Sequence, residues 1–246
     1  MFSRLSHRPW PLPSSPWVLA MTWNDLLFAH WPVAVDDVRR SIPPGLEVDT
    51  WEGDAWVGVV PFRMTGVRPR ILPSLPGFSA FPELNVRTYV KVRGRPGVWF
   101  FSLDASSLLC VQAARWTYRL PYFHARMSCE ERRGWILYES VRRDRRGGAA
   151  VFRARYRPLG ATFRARPGTL DDWLVERYCL YAVDGRGRLL GCDIHHRPWE
   201  LQRAEAVIEE NGMTRAAGLE LPDRAPVLHF ARRLETVAWW RWPVHG

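Results

Sequence analysis

The sequence is almost free of lysine. Lys91 is the only lysine among 35 lysine and arginine residues, and the formal net charge is +10. Apart from a run at residues 142–146, the arginines are scattered singly along the chain. A nucleic-acid-binding protein usually concentrates its positive charge on one face or one helix. The scattered pattern therefore indicates a general preference for arginine and argues against nucleic acid as the partner.

Long hydrophobic runs and paired cysteines are also missing. The longest apolar runs, such as residues 17–21, are far shorter than a bilayer requires, and the N-terminus has no signal-peptide core. Cys110, Cys129, Cys179 and Cys192 show no C-x-x-C spacing. These absences predict a cytoplasmic protein with reduced thiols, no membrane span, no metal and no cofactor. The aromatic content of 13% excludes wholesale disorder.

Several sequence motifs of common enzyme classes do not occur. The chain has no G-x-S-x-G, no G-x-x-x-x-G-K and no G-x-G-x-x-G, so nothing indicates a nucleophile-elbow hydrolase, a P-loop or a Rossmann domain. His195 and His196 are adjacent, and on a strand they point to opposite faces, which makes them a poor chelating pair. A metal site would need one of them together with His30, His124 or a carboxylate.

Turn signals divide the chain into many short segments. Residues 1–16 are rich in proline and are expected to form a loosely ordered lead-in, and residues 17–246 are expected to form a single domain. Hairpin signals predict strands near 26–31, 46–51, 55–64, 85–93, 98–103, 122–130, 135–142, 149–157, 178–183, 188–195 and 225–240. A short helix is predicted to end at Ile42. Two more helices are predicted, over 105–115 with Asp104 as the cap and over 170–177 with Thr169 as the cap. The pattern is that of a mostly antiparallel α+β domain with two or three short helices.

The segment 81–93 alternates strictly between polar and apolar residues. One face carries Glu83, Asn85, Arg87, Tyr89, Lys91 and Arg93. One interpretation is a sheet strand with a solvated face. The other places Glu83, Asn85 and Arg87, spaced about 7 Å apart, on the wall of a polar cavity for a small ligand.

A second polar and aromatic cluster lies at residues 115–124. One interpretation is a helix exit with aromatic packing. The functional interpretation places Arg115, Tyr118 and Tyr122 at the mouth of the same cavity, as hydrogen-bond donors.

These stretches resemble an uncharacterised bacterial group, the YqjF-like family, within the acetoacetate-decarboxylase-like superfamily. The resemblance covers nearly the whole chain from about residue 10. It implies a curved antiparallel sheet that closes toward a cone-like barrel around a central pocket. The segments that carry it are 25–33, 81–90, 102–105, 120–123, 168–170, 176–178 and 195–199.

The decarboxylases of that superfamily use a pocket glutamate and a lysine that forms a Schiff base. The resemblance assigns the glutamate to Glu83, while the region of the catalytic lysine matches residues 120–123, which contain no lysine. Lys91 is eight residues from Glu83, more than about 25 Å along a strand. Arginine cannot replace the lysine, because its guanidinium stays protonated. The sequence therefore predicts that the protein is not a Schiff-base decarboxylase.

The resulting expectation is a protein that binds a small carboxylate- or carbonyl-bearing metabolite. Glu83 is the candidate acid or base, and Tyr122 or His195 would polarise a carbonyl. Asn85, Arg87, Arg115 and Tyr118 would bind the substrate. Whether the protein is an enzyme is left open.

Two alternatives remain at this point: a ligand sensor without turnover, and an arginine-rich module that binds nucleic acid or protein through residues 142–146. Trp239, Trp240 and Trp242 are compatible with a core edge or with the contact of a homo-oligomer.

Overall fold

The structure, a computed structural model, describes residues 2, 5–74 and 79–244. Within this part the chain forms thirteen strands that belong to one sheet. The strands are β1 Leu19–Val33, β2 Glu47–Val48, β3 Ala55–Pro69, β4 Phe81–Val92, β5 Arg95–Ala105, β6 Tyr122–Arg132, β7 Trp135–Arg142, β8 Val151–Phe163, β9 Cys179–Val183, β10 Leu189–His196, β11 Leu201–Asn211, β12 Val227–Ala238 and β13 Trp242–Pro243.

The strand pairings close the sheet into two rings that share the wall β12–β1–β3–β4–β5. The first ring is completed by β6, β7, β8 and β11. The second is completed by β9 and β10. All of these pairs are antiparallel except β5–β6 and β5–β9. The predicted curved, mostly antiparallel sheet is confirmed.

Four short helices accompany the sheet in the described residues, one more than the upper expectation. They are α1 Val35–Ser41, α2 Leu108–Tyr118, α3 Leu170–Val175 and α4 Met213–Ala216. The Thr169 side chain caps α3 as predicted. The prediction for Asp104 is wrong: Ser107 caps the later helix α2, and Asp104 lies in β5. Its carboxylate is committed to an ion pair with Arg142, described below, and is not available as a cap.

Each ring encloses its own hydrophobic core. The first core joins β7 and β8 to the shared wall through residues such as Tyr138, Phe152 and Val86. The second core joins the shared wall to β9, α2 and α3 through residues such as Phe28 and Leu174. Because side chains alternate along a strand, each strand of the shared wall sends every second residue into each core.

The lead-in packs along one end of the second ring. Trp10 donates its indole N–H to Asp193 at 3.0 Å. The Arg8 guanidinium is buried, donates to the backbone oxygen of Ile194 at 2.7 Å and stacks on the Tyr178 ring.

Candidate functional site

The polar side chains of β4 enter the second core. Leu84, Val86 and Val90 face the first core, so the alternate residues face the opposite side of the sheet. There Glu83 is 2% exposed and Asn85 is 5% exposed. The interpretation of this strand as one with a solvated face is therefore wrong. Burying such groups costs free energy unless they are paired, so their partners are informative.

Glu83 forms a buried hydrogen bond with Tyr122. The Tyr122 hydroxyl donates to Oε2 of Glu83 at 2.9 Å, which joins β6 to β4 across β5. Burial raises the pKa of Glu83 to about 8; the bond from Tyr122 opposes this rise, and the carboxylate of Asp104 adds to it. Burial also raises the pKa of Tyr122 well above its usual range. At neutral pH both groups therefore carry their protons.

An ion pair beside Glu83 holds this corner of the sheet. Arg142 donates to both oxygens of Asp104, at 2.9 and 2.6 Å, and both side chains are almost completely buried. The Arg142 guanidinium also stacks on the Phe123 ring at 4.2 Å. Burial raises the pKa of Asp104, and the bonds from Arg142 oppose that rise. The pair fixes β5 to β7 next to Glu83.

Arg115 and Tyr118 lie on the α2 side of this corner. Arg115 donates through Nε to the backbone oxygen of Tyr122 at 2.6 Å and forms an ion pair with Asp144. Its guanidinium therefore has protein partners and holds the Tyr122 backbone. Burial raises the pKa of the Tyr118 hydroxyl, and its ring packs on Trp240 at 5.9 Å.

Arg87 has a different environment from the other arginines of this region. It forms no ion pair with any described residue. Its Nη2 makes only long bonds, to Tyr89 Oη at 3.3 Å and to the Leu174 oxygen at 3.4 Å, and its Nε is buried without a partner. The guanidinium lies 5.3 Å from the centre of the Phe28 ring. The second core thus contains a positive charge that lacks a counter-charge.

Gly58 makes room for Arg87 to reach β1. It is in register with His30 on one side and with Arg87 on the other. A Cβ at this position would come within 2.8 Å of the His30 ring and 3.4 Å of Arg87 Cγ. The missing side chain leaves room over β3 for both residues to reach the same Tyr89 hydroxyl.

The sequence indicates His30 only as a second ligand in a metal site built on His195 or His196. In the structure its Nε2 lies 2.6 Å from Tyr89 Oη, and the Tyr89 hydroxyl donates to the Leu174 oxygen at 2.6 Å. A carbonyl oxygen can only accept, so the Tyr89 proton belongs to that bond and His30 Nε2–H donates to Tyr89. Burial, with Arg87 nearby, lowers the pKa of His30 well below its usual range. His30 is thus neutral, and its Nδ1 has a lone pair.

Buried polar atoms without partners concentrate on this part of the second core. Buried groups are nearly always hydrogen-bonded in native proteins, so a cluster of exceptions needs an explanation. Those around the second core, within the described part of the chain, include Trp23 Nε1, His30 Nδ1, Trp56 Nε1, Asn85 Oδ1, Arg87 Nε, Arg177 Nη2 and His229 Nδ1. The cluster can both donate and accept, and it contains one unpaired positive charge.

His195 contacts the lead-in. Arg8 Nη1 lies 3.4 Å from His195 Nδ1, and the rings of His7 and Phe2 stack on His195. Its neighbour His196 stacks on Tyr178 and packs against Trp199. The structure thus brings Glu83 and Tyr122 together, whereas the described contacts of His195 are with the lead-in.

Two other features bear on the site. An outer cleft of about 430 Å³ is lined by Trp31, Leu221, Arg224 and Leu228, and belongs to the first-core face of β1. Over residues 2, 5–74 and 79–244, no cluster of three or more metal-ligating side chains occurs, and no helix is long and apolar enough to cross a membrane.

Residues 20–235 match a protein family, DUF2071, described as "Uncharacterized conserved protein (COG2071)". The chain is 46% identical over 239 residues to the uncharacterized protein YqjF of Bacillus subtilis (strain 168), covering 97% of this chain and 98% of YqjF.

Solved structures show the same fold at low sequence identity. The enduracididine biosynthesis enzyme MppR with HEPES buffer bound matches 94% of this chain and 88% of its own, with a TM-score of 0.66 and 14% identity. MppR complexed with pyruvate matches with a TM-score of 0.63 at 15% identity, over 93% of this chain and 91% of its own. Acetoacetate decarboxylase from Legionella pneumophila matches 97% of this chain and 92% of its own, with a TM-score of 0.62 and 15% identity. The chain therefore belongs to the DUF2071 family and has an acetoacetate-decarboxylase-like fold.

Proposed function

We propose that the protein binds a small carboxylate-bearing metabolite in the second core, on the face formed by β1, β3 and β4. The observation that carries this proposal is Arg87, a half-buried guanidinium without an ion-pair partner in the described structure. Arginine binds carboxylates through two parallel hydrogen bonds, and a ligand carboxylate supplies the missing charge. Asn85 lies next along the same strand face and contacts the middle of the ligand.

Glu83 and Tyr122 act at the other end of the ligand. Because its pKa is about 8, the Glu83 carboxyl is mostly protonated at neutral pH and donates to a carbonyl oxygen of the ligand. A carboxyl with a pKa this close to the working pH is also suited to general acid or base catalysis. Tyr118 and Arg115 line the α2 side of this end, with Arg115 acting through the Tyr122 backbone.

No lysine takes part in this chemistry. Lys91 lies at the end of β4, partly exposed, with its Nζ 3.8 Å from the Asp49 carboxylate. Glu83 lies eight residues away on the same strand, at the Tyr122 end of the site. Any turnover is therefore independent of a Schiff base.

The similarity to MppR supports the ligand class, since that protein has been solved in complex with pyruvate, a small oxo-carboxylate. A ligand sensor without turnover would use the same residues. Product formation separates the two: if the protein is an enzyme, Glu83→Gln abolishes turnover and leaves the fold intact.

The arginine run at 142–146 favours the small-ligand proposal over a nucleic-acid partner. Arg142 is paired with Asp104, and Arg146 is paired with Asp144. Two of the four arginines in the run therefore have carboxylate partners within the protein, and Arg146 shares its partner with Arg115. A cytoplasmic location and a homo-oligomer remain predictions. Of the tryptophans considered for an oligomer contact, Trp239 is buried and donates to the Ser15 oxygen, and Trp240 is half exposed.

Calorimetric titration with propionate and pyruvate tests the proposal. We expect both to bind the wild-type protein and Arg145→Gln, which removes the same charge from an exposed loop position. Arg87→Gln should weaken both by at least about tenfold, because bonds to charged groups are worth more than neutral ones. If neither carboxylate binds, or if Arg87→Gln binds as the wild type does, the proposal is wrong.

A further inference from the structure

Three polar side chains near Phe28 in the second core each have one buried atom without a partner. The Arg87 guanidinium lies 5.3 Å from the ring centre, and the His30 ring stacks on Phe28 at 6.0 Å. His229, on β12, is in register with Phe28. Arg87 Nε, His30 Nδ1 and His229 Nδ1 are all buried without a partner. Both histidine side chains are fully buried.

The His30 tautomer leaves an acceptor at this site. Its Nε2–H donates to Tyr89, as derived above, so Nδ1 carries a lone pair. Gly58 faces the Cδ2 and Nε2 edge of the ring. Nδ1 is on the opposite edge of the imidazole, and because β3 and β12 flank β1 on opposite sides, we infer that Nδ1 faces β12.

His229 has the same tautomer for a different reason. Its Nε2 lies 2.8 Å from Asp171 Oδ1 and 2.9 Å from Arg203 Nη1. Asp171 can only accept, and Arg203 Nη1 already donates to it, so we assign the Nε2 proton to the shorter contact, with Asp171. Arg203 binds the same carboxylate through both terminal nitrogens, at 3.1 and 2.8 Å. Burial lowers the pKa of His229, and Asp171 opposes that effect. The neutral ring therefore presents a second Nδ1 lone pair.

We propose that His30 and His229 select a hydroxylated carboxylate, whose carboxylate binds Arg87 and whose hydroxyl groups donate to the two Nδ1 atoms. The inference rests on the proposed function and narrows its ligand class. Arg87 requires a negative charge, and two buried acceptors require donors, so a plain carboxylate leaves both lone pairs unsatisfied. A site with buried polar groups binds an analogue more weakly when the analogue lacks the matching donor.

A three-carbon series tests this selection without any variant. Propionate, lactate and glycerate have the same chain length and carry no, one and two hydroxyl groups. We expect the Kd for the wild-type protein to fall by about fivefold for each hydroxyl. Pyruvate, which has no donor on its second carbon, should gain nothing from the histidines.

Glutamine variants test how much each histidine contributes to the increase in affinity for each added hydroxyl group. His30→Gln keeps an amide N–H for Tyr89 and removes the Nδ1 acceptor, and His229→Gln does the same beside Asp171. Each should remove one step of the series, measured as the Kd of lactate or glycerate relative to that of propionate for the same variant, and His7→Gln, in the lead-in, should keep both steps. Thermal unfolding checks that the variants fold.

Nitrogen NMR of the wild-type histidines provides an independent readout. The Nδ1 signals of His30 and His229 should have the shift of an unprotonated nitrogen and move when glycerate is added. Equal affinities along the series with unchanged Nδ1 signals would overturn this inference, and the proposed function would stand if Arg87→Gln still weakened binding by at least about tenfold. Failure of all three acids to bind would overturn both.

Discussion

The Tyr122 hydroxyl donates to Glu83 Oε2 at 2.9 Å, and this bond lies among the buried side chains between α2 and the sheet. The same burial that keeps both protons in place makes Glu83 sensitive to pH near neutrality, because its pKa is about 8. A carboxyl in this state makes stability depend on pH below that pKa, and it holds a proton that it can give to a ligand.

Stability should therefore fall as the pH rises toward 8. Below about pH 4 both the folded and the unfolded chain hold this proton, so ionisation of Glu83 does not lower the free energy of unfolding there. Between about pH 4 and 8 the unfolded chain releases the proton and the folded chain retains it, which lowers the free energy of unfolding by about 1.4 kcal/mol per pH unit. Urea unfolding of the wild type and Glu83→Gln across this range measures the effect. The variant lacks the titrating group, so its free energy of unfolding relative to that of the wild type should rise with pH. Equal slopes for the two proteins would contradict the assigned pKa.

The Asp104–Arg142 ion pair should contribute strongly to stability. Asp104→Ala leaves Arg142 buried without its counter-charge, and breaking such pairs costs about 3–5 kcal/mol. The exposed pair of Arg233 and Glu235 provides the matched control, since Glu235→Ala should cost less than about 1 kcal/mol. Chemical denaturation of both variants compares the two costs. A loss of similar size for the two pairs would show that Asp104 is not isolated from solvent.

Gly58 should not tolerate a methyl group. Gly58→Ala forces a Cβ against the His30 ring and should destabilise the protein by about 1–3 kcal/mol. It should also weaken carboxylate binding, because Arg87 passes over the same position. Gly185→Ala is the control, since a Cβ there meets nothing within 4 Å. If Gly58→Ala is as stable as Gly185→Ala and binds propionate as the wild type does, the close approach of His30 and Arg87 to Gly58 is described wrongly.

Lys91 should not form a Schiff base with a keto acid. Its partner is Asp49, and it lies at the opposite end of β4 from Glu83. Incubation with acetoacetate and borohydride should leave the intact mass unchanged, and Lys91→Arg should behave identically. A stable adduct on Lys91 would reverse the conclusion that the chemistry is independent of lysine.

Local patterns in the sequence predicted much of the fold. The alternation at 81–93 gave the correct faces of β4, and the turns at Gly94 and Gly134 ended the predicted hairpins close to their true positions. The long strand β11 and the one-turn helix α4 were missed, because residues 201–216 carry neither a clear alternation nor a strong cap.

Relationships between distant residues could not be derived from such patterns. Asp104 has the local signature of a helix cap, and only the fold brings Arg142, 38 residues later, to its carboxylate. The third helix ends at Val175 and not at Arg177, because Arg177 turns away to bind Asp49 at 2.7 Å.

The same reason explains why the sequence does not indicate the proposed ligand-binding role of His30 and His229. His30 and His229 are almost 200 residues apart, and they become neighbours only through the pairing of β1 with β12. His30 belongs to a buried apolar strand, where an isolated histidine gives no functional signal. A search for polar residues within otherwise apolar strands would have identified both.

A crystal structure with bound propionate tests the central claim most directly. We expect the carboxylate within hydrogen-bond distance of the Arg87 guanidinium, inside the second ring and beside Phe28. Density confined to the outer cleft near Trp31 and Leu221, or none at Arg87 at a concentration that saturates binding in solution, would contradict the account.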